Sequence, residues 1–213
     1  MSKENYFIIR PFGPSIVKLR MPENLVNKLN TYVDEIISDK KKSLELDQAA
    51  QLAGMVTQEF TLEENFMKEA GWGKFLTLAC GKWIELACST KISKFQILSS
   101  WIVRQFKNEY NPTHYHGGHI SGVGYLKVPN NIGSTKQGNE KKNPNGCLQL
   151  IHGSKMFMSE STYTAKPAVG DFYLFPNYLM HTVFPFTDTD EERRSVSFNA
   201  KVDDQIYNVY GTK

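Results

Sequence analysis

Hydrophobic residues in the first half of the chain recur at helical spacing. After Pro22, apolar positions return every three or four residues, which predicts an amphipathic helix. They are Leu25, Leu29, Tyr32, Val33, Ile36 and Ile37. The charged run 39–42 that follows is interpreted as a solvated linker. A second helix is predicted from about Gly71, with Trp72 and Trp83 as core anchors. Its apolar face comprises Trp72, Phe75, Leu76, Ala79, Trp83, Leu86 and Ala87.

From Phe95 onward the pattern becomes that of β-strands, with short apolar or alternating runs separated by Gly, Pro and Asn. The candidate strands are Gln96–Phe106, Ile120–Val128, Cys147–Ile151, Lys155–Met158, Phe172–Phe175, His181–Phe184 and Arg193–Val202. So many short strands predict a sandwich or barrel with helices on one side. We expect one α+β, mainly β domain over 1–213, with 1–94 as mainly helical support and 95–202 as the β core.

A long polar segment interrupts the strand pattern between Pro129 and Gly146, where Ile132 is the one large apolar residue. Polar loops of this length are unusual inside compact domains. Two interpretations stay open, a disordered segment and a mobile lid beside a functional site.

Composition excludes several classes of protein. With 40% apolar and 22% charged residues, the chain can build a hydrophobic core and is not a disordered, collagen-like or coiled-coil sequence. No apolar run is long enough to span a membrane, and the N-terminus lacks a signal-peptide pattern. A net charge of +3 is too balanced to indicate nucleic acid. Cys80, Cys88 and Cys147 fit no metal spacing and suit a reducing compartment. We therefore expect a cytoplasmic protein (in the host cytoplasm if viral), with Cys80 and Cys88 as inert packing residues.

The five histidines all lie between His114 and His181. If His114 and His116 end a strand, their imidazoles share a face and can bind one cation. His181, at the start of a later strand, is the candidate third ligand. Three protein ligands with open positions describe a catalytic metal site. The spacing of His119 points it to the other face, as a substrate-side or outer residue, and His152 is interpreted as structural.

The segment from Arg193 to Asn199 alternates. Arg193 and Ser195 share one face, where a guanidinium and a hydroxyl together make a receptor for a carboxylate. The neighbouring Arg194 points the other way and is predicted to be solvated. A simpler alternative for Arg193 is a surface ion pair with Glu191 or Glu192.

These blocks together resemble the iron(II)- and 2-oxoglutarate-dependent oxygenases. The resemblance is closest to a prolyl-hydroxylase-like group, many from phages and bacteria, with His-x-His followed by Ser-Gly-Val-x-Tyr-Leu. Here the blocks are His114-Tyr-His116 with Ser121-Gly-Val-Gly-Tyr125-Leu126, Gly170-Asp-Phe-Tyr-Leu-Phe-Pro176 leading to His181, and Arg193 to Asn199.

The resemblance implies a double-stranded β-helix, or jelly-roll, core that carries iron(II) at one open end. It implies a hydroxylase that uses O2 and decarboxylates 2-oxoglutarate to succinate, with ascorbate as a candidate accessory reductant. By motif, Arg193 and Ser195 match the pair that binds the distal carboxylate of 2-oxoglutarate, and Tyr125 matches a position that adds a hydroxyl. Tyr125 and Tyr173 remain open between site and core roles, and Asp171 is interpreted as a structural turn residue.

The same resemblance implies that His114 and His181 are metal ligands. The superfamily usually has an acidic residue two positions after the first histidine, where this chain has His116; the next acidic residue is Glu140, in the polar loop. We predict that His116 is the third ligand. Three imidazoles also suit zinc.

Two other functions stay open: a cupin-like metal-binding protein without 2-oxoglutarate chemistry, and a non-catalytic jelly-roll binding module. The expected substrate is a peptidyl group or a small molecule. The sequence indicates neither an oligomeric state nor a clear nucleic-acid partner, although lysines of the polar loop could flank one.

Overall fold

The computed structural model describes residues 6–9, 13–49, 54–135 and 143–208. The strands in these ranges are β1 (Tyr6–Ile9), β2 (Ile16–Arg20), β3 (Gln58–Thr61), β4 (Phe95–Gln105), β5 (Asn111–His114), β6 (Ile120–Lys127), β7 (Leu148–Ile151), β8 (Thr162–Ala165), β9 (Asp171–Pro176), β10 (Met180–Val183) and β11 (Arg193–Val202). The helices are α1 (Glu23–Ser38), α2 (Lys40–Leu46), α3 (Glu64–Ala70), α4 (Trp72–Cys88) and α5 (Asp204–Tyr207). None of the helices in the described ranges is long and apolar enough to cross a membrane.

The strands form two sheets whose neighbouring strands are all antiparallel. The larger sheet has the order β1-β2-β9-β6-β11-β4-β3, and the smaller has the order β5-β10-β7-β8. Side chains of both sheets meet in one apolar cluster, so the sheets pack face to face. This arrangement confirms the predicted mainly β, α+β fold.

Helices α1 and α4 cover the outer face of the larger sheet, as their apolar spacing predicts. Leu29, Val33 and Ile36 of α1 are wholly buried, and each such side chain contributes about 1.5–3 kcal/mol by leaving water. Trp72 and Trp83 of α4 are both buried, and their indole N–H groups donate to Ser100 and Ser15. Both tryptophans are therefore core anchors, as predicted.

The centre of the larger sheet is buried on both faces, because helices cover one side and the smaller sheet the other. Strand β6 shows this, with every residue from Ile120 to Leu126 buried. Gly122 lies where a Cβ atom would be 2.6 Å from Phe198 Cε1 and 2.8 Å from the Tyr173 carbonyl oxygen. The close approach of the neighbouring strands β9 and β11 thus requires glycine at this position.

Two sequence interpretations are wrong in this part of the fold. Residues 155–158 are not a strand: their one described bridge joins Met156 to Ser159, and Phe157 is 94% exposed. The charged run 39–42 is not a linker but the start of α2. The Asp39 side chain accepts hydrogen bonds from two backbone N–H groups of the first turn, and this N-cap begins a helix.

The predicted helical support also contains strands, since β2 and β3 join the larger sheet. Both are only four or five residues long, too short to give a clear periodicity. On α4, Leu86 and Cys88 are exposed rather than packed, because the helix extends beyond the sheet that covers its first turns. Cys80 is buried as expected, and burial raises the pKa of its thiol.

Candidate active site

Strands β5 and β10 bring two of the predicted metal ligands together. Their register pairs His114 directly with His181, and cross-strand neighbours lie on the same face. The two ring centroids are 4.3 Å apart. His116 lies in the loop after β5, with its ring 4.9 Å from that of His114 and 5.0 Å from that of His181. One ligand nitrogen from each ring lies within 4.8 Å of the others, so the three predicted histidines form one cluster.

Backbone carbonyls fix the tautomer of two of these histidines. His114 Nδ1 lies 2.7 Å from the Pro112 oxygen, and His181 Nδ1 lies 2.9 Å from the Leu179 oxygen. A carbonyl oxygen can only accept, so each Nδ1 carries the proton and each Nε2 keeps its lone pair for a metal ion.

Burial keeps two imidazoles of the cluster uncharged. It lowers the pKa of His181 to about 3, and the neighbouring His114 adds to the effect. Burial likewise lowers the pKa of His116 to about 4, again with a contribution from His114. At neutral pH both imidazoles are therefore in the form that binds metal, with no proton to displace.

Arg193 points into the same cavity from β11. Its side chain is 1% exposed, and Nη1 donates to Gln105 Oε1 at 2.6 Å. Nε and Nη2 are also buried, yet neither has a hydrogen-bond partner. No carboxylate of the described residues forms an ion pair with it, so the alternative of a surface ion pair with Glu191 or Glu192 is wrong.

Tyr125 and Ser195 lie beside this guanidinium. The β6–β11 register pairs Tyr125 with Ser195, which places them on one face with Arg193. The Arg193 guanidinium carbon lies 5.0 Å from the centre of the Tyr125 ring. The phenol hydroxyl is buried without a well-formed hydrogen bond, and burial raises its pKa, so it stays protonated. The unpartnered donors fit the carboxylate of a bound acid.

Apolar side chains enclose the space between the histidines and Arg193. Phe175 contacts the His181 ring edge-on at 4.9 Å, and Trp101 contacts the His116 ring at 5.6 Å. The cavity is lined by Trp101, Val103, Asn111, His114, His116, Gly122, Val123, Leu148, Phe175, His181, Val183, Arg193, Ser195 and Ser197. Low polarity around the donors strengthens their interaction with a bound anion.

Other predicted residues lie outside this cavity. His119 is not substrate-side: it is buried on the opposite side of the loop, where its Nδ1 accepts from the Val202 backbone N–H at 3.2 Å. His152 is exposed and outside the cluster. Asp171 is buried in ion pairs with Lys18 and Arg20, a structural role as predicted. Tyr173 is buried in the core between the sheets.

The expectation for Arg194 is wrong. Its side chain is 1% exposed, because helix α1 covers the outer face of β11. Its guanidinium is fully paired, with Glu192 and Asp34 each at 2.7 Å. Two adjacent arginines of one strand are thus both buried, but within the described ranges only Arg194 meets a carboxylate.

Sequence reasoning missed two residues that serve the site. Gln105 follows Trp101 and Val103 at every second position of β4. Because alternate residues of a strand share a face, this spacing could have placed Gln105 on the cavity face. Asn177 forms hydrogen bonds to the backbone of His116, and no periodicity of the sequence around it could have indicated this contact. Glu140 and residues 136–142 lie outside the described residues, so the proposed lid stays a prediction.

The comparisons with known proteins agree with this geometry. Residues 99–199 match the family model described as "Putative 2OG-Fe(II) oxygenase". A search of curated protein sequences found no match.

Solved structures share the fold. A prolyl-4-hydroxylase from Pseudomonas putida aligns with a TM-score of 0.57 at 13% identity, over 86% of this chain and 91% of that one. HygX from Streptomyces hygroscopicus, with nickel, 2-oxoglutarate and hygromycin B bound, aligns with a TM-score of 0.55 at 11% identity, over 87% and 82%. The viral collagen prolyl hydroxylase of Paramecium Bursaria Chlorella virus-1 aligns with a TM-score of 0.52 at 13% identity, over 86% and 94%.

These likenesses confirm the jelly-roll core, and the family match adds the chemistry. The protein is an enzyme whose cofactor is iron(II) and whose co-substrate is 2-oxoglutarate. Residues 99–199 thus match the iron(II)- and 2-oxoglutarate-dependent oxygenases, and the solved structures of such enzymes share the fold of this chain.

Proposed function

We propose that this oxygenase hydroxylates a C–H bond of a peptidyl or small-molecule substrate. His114, His116 and His181 bind the iron. Arg193, Ser195 and Tyr125 hold the distal carboxylate of 2-oxoglutarate. The cupin-like and non-catalytic alternatives leave this carboxylate receptor without a purpose.

The observation that carries the proposal is the buried, unsatisfied guanidinium of Arg193. Burying a polar donor without a partner costs about 1–3 kcal/mol, and more for a charged group. Natural structures keep few such groups. Arg193 lies in one cavity with the three imidazoles, so its missing partner is an anion that reaches toward the histidines. A dicarboxylate with a metal-binding keto-acid end meets both requirements.

The residues of the chain have separable roles in this proposal. Arg193 and the two hydroxyl groups orient the co-substrate, and the carbonyl-bound His114 and His181 present Nε2 to the metal. Trp101 and Phe175 keep water from the space between them. When bound, iron(II) would supply the oxidising chemistry with O2 as the oxidant, one oxygen atom going to succinate as 2-oxoglutarate loses CO2 and the other to the hydroxylated substrate.

The substrate class rests on the structural neighbours. Two of them are prolyl hydroxylases, and a third is solved with hygromycin B bound. The same fold therefore accepts peptidyl and small-molecule ligands, and we extend both classes to this chain. With three imidazoles and no carboxylate in the cluster among the described residues, zinc is the competing metal to be tested.

Anaerobic titration of the metal-free protein with iron(II) and 2-oxoglutarate tests the site. We expect the visible charge-transfer absorption of a keto acid chelated to iron. It should vanish in His181→Ala, and in Arg193→Ala it should require more 2-oxoglutarate. The control is His152→Ala, an exposed histidine outside the cluster, which should leave the absorption unchanged. Bound iron without the absorption would contradict the proposal, as would wild-type behaviour of both site variants.

A further inference from the structure

His116 differs from the other two histidines in how its side chain is held. β5 ends at His114 and β6 begins at Ile120, so His116 belongs to a loop. His114 and His181 are fixed by strand pairing and by Nδ1 hydrogen bonds to carbonyl groups. Neither ring nitrogen of His116 forms a hydrogen bond to another described residue. Apart from its edge-on contact with Trp101, the position of its imidazole therefore depends on how the loop backbone is held.

Asn177, in the turn between β9 and β10, holds that backbone. Its carbonyl oxygen accepts from the His116 N–H at 3.1 Å, and its side-chain Nδ2 donates to the His116 carbonyl at 3.0 Å. Its own N–H donates to the His119 carbonyl at 3.2 Å. Asn177 is only 8% exposed, so these hydrogen bonds face little competition from water.

Tyr207 of the C-terminal helix α5 orients the Asn177 amide. Its hydroxyl donates to Asn177 Oδ1 at 3.2 Å, so the amide nitrogen is directed at His116. The Tyr207 ring stacks on the His119 ring, with centroids 4.0 Å apart and planes 7° from parallel. The His119 ring is in turn anchored to β11 by the Val202 N–H. A continuous chain of contacts thus joins α5 to the backbone of His116.

We infer that Asn177 and Tyr207 are positioning residues of the metal centre, which act by fixing the His116 imidazole. The inference rests on the proposed role of His116 as a ligand. Loss of an outer partner of a metal ligand typically weakens metal binding 10- to 100-fold. His116 stands where the superfamily usually has a carboxylate, and neither of its ring nitrogens forms a hydrogen bond to another described residue. Its backbone contacts therefore set the ring orientation that a hydrogen bond to the second ring nitrogen sets in His114 and His181.

Cobalt(II) titration of the metal-free protein tests the inference without any enzymatic turnover. We expect Asn177→Asp, which replaces the donating nitrogen with an oxygen, to bind Co(II) about 10-fold more weakly and to change the visible d–d spectrum. Tyr207→Phe keeps the stacked ring and removes one neutral hydrogen bond, so we expect a smaller loss of about 2- to 10-fold. The control is Tyr178→Phe, which removes a hydroxyl from the neighbouring half-exposed tyrosine and should change neither quantity.

A second measurement needs no metal. In the metal-free protein, the His116 amide should exchange its proton faster in Asn177→Ala than in wild type, because the loop loses the Nδ2 contact. Should Asn177→Ala fail to fold, Tyr207→Phe and Asn177→Asp decide the question alone.

His116→Ala separates the inference from the proposed function. If His116→Ala binds Co(II) as wild type does, the three-histidine site itself is wrong. If His116→Ala binds weakly while Asn177→Asp and Tyr207→Phe match wild type in affinity and spectrum, the positioning role is overturned. Weakened binding in all three, with Tyr178→Phe unchanged, supports it.

Discussion

Replacing Arg193 by methionine should stabilise the ligand-free protein while abolishing its response to 2-oxoglutarate. Arg193 carries a buried charge that no carboxylate of the described residues balances, and two of its nitrogens lack acceptors. Methionine has a similar length and no polar hydrogens, so it removes this cost without leaving a large cavity.

The expected magnitude follows from the contacts of Arg193. Two unsatisfied donors cost about 1–3 kcal/mol each, and the substitution removes both. It also removes the hydrogen bond to Gln105 and leaves that acceptor unpaired, which costs about 1–3 kcal/mol. The lost contact with the Tyr125 ring costs about 0.5–2 kcal/mol. We therefore expect a net gain of about 1 kcal/mol, or a melting temperature about 2–4 °C higher.

Ligand should reverse the order of stability. At 100 times its dissociation constant, 2-oxoglutarate stabilises a protein that binds it by about 2.7 kcal/mol. Wild type loaded with metal should gain this amount and Arg193→Met should gain none, so wild type becomes the more stable of the two.

Urea unfolding under anaerobic conditions, with and without iron(II) and 2-oxoglutarate, measures both effects. Arg194→Met is the matched control, since Arg194 is the adjacent buried arginine with its partners in place. Glu192 keeps Arg104 as a partner and Asp34 is half-exposed, so the loss of Arg194 should cost about 1.5–3 kcal/mol in either condition. The reasoning is refuted if Arg193→Met is several kcal/mol less stable than wild type without ligand, or if 2-oxoglutarate stabilises it equally.

Three further changes have expected outcomes. Burial raises the pKa of the Glu59 carboxyl group from 4.5 to about 7. Between these pH values the unfolded chain releases the proton and the folded chain keeps it, so wild-type stability should fall as the pH rises from 4.5 to 7. Glu59→Gln should remove this pH dependence of stability and, in urea unfolding at pH 8, should be more stable than wild type by about 3 kcal/mol. If the pH dependence is the same in the variant, the Glu59 carboxyl group ionises freely in the folded protein. Tyr125→Phe should weaken 2-oxoglutarate binding about 10- to 100-fold, as measured by calorimetry. The stability of the ligand-free protein should not decrease, because the Tyr125 hydroxyl has no well-formed hydrogen bond to lose. If the variant binds 2-oxoglutarate as tightly as wild type, Tyr125 is not part of the site. Gly122→Ala should lower the free energy of unfolding by about 1–3 kcal/mol, because its Cβ would press on Phe198 and the backbone of Tyr173 in the two neighbouring strands. Wild-type stability would mean that these strands can shift to make room at little cost.

Periodicity predicted the elements that have one clear apolar face. The stripe of α1 and the alternation of β11 are long enough to give a signal, and both lie within a few residues of their predicted bounds. The short strands β2 and β3 gave none, because four or five residues fit a strand, a turn or a helix end equally well. The short apolar run at Lys155–Met158 failed for a different reason: no neighbouring strand completes a ladder there within the described part of the chain.

The site was predictable where chemistry depends on residues close in sequence. The spacing of His114 and His116 and the pair Arg193 and Ser195 could be recognised directly. The partners of Arg194 could not, because Asp34 comes from a helix 160 residues away and meets it only after folding. Asn177 was missed for the same reason, since its contact with His116 depends on how two turns meet.

The origin of the two halves of the site has a consequence for how the protein persists in a cell. The histidine-bearing strands β5 and β10 belong to the smaller sheet, whereas Arg193, Ser195 and Tyr125 belong to the larger one. A co-substrate held by both groups would bridge the two sheets as a non-covalent cross-link. By linkage, separation of the sheets would then require release of that ligand. Resistance to local opening and proteolysis would rise and fall with the supply of metal and 2-oxoglutarate, so the enzyme's lifetime would follow the metabolic state that feeds it.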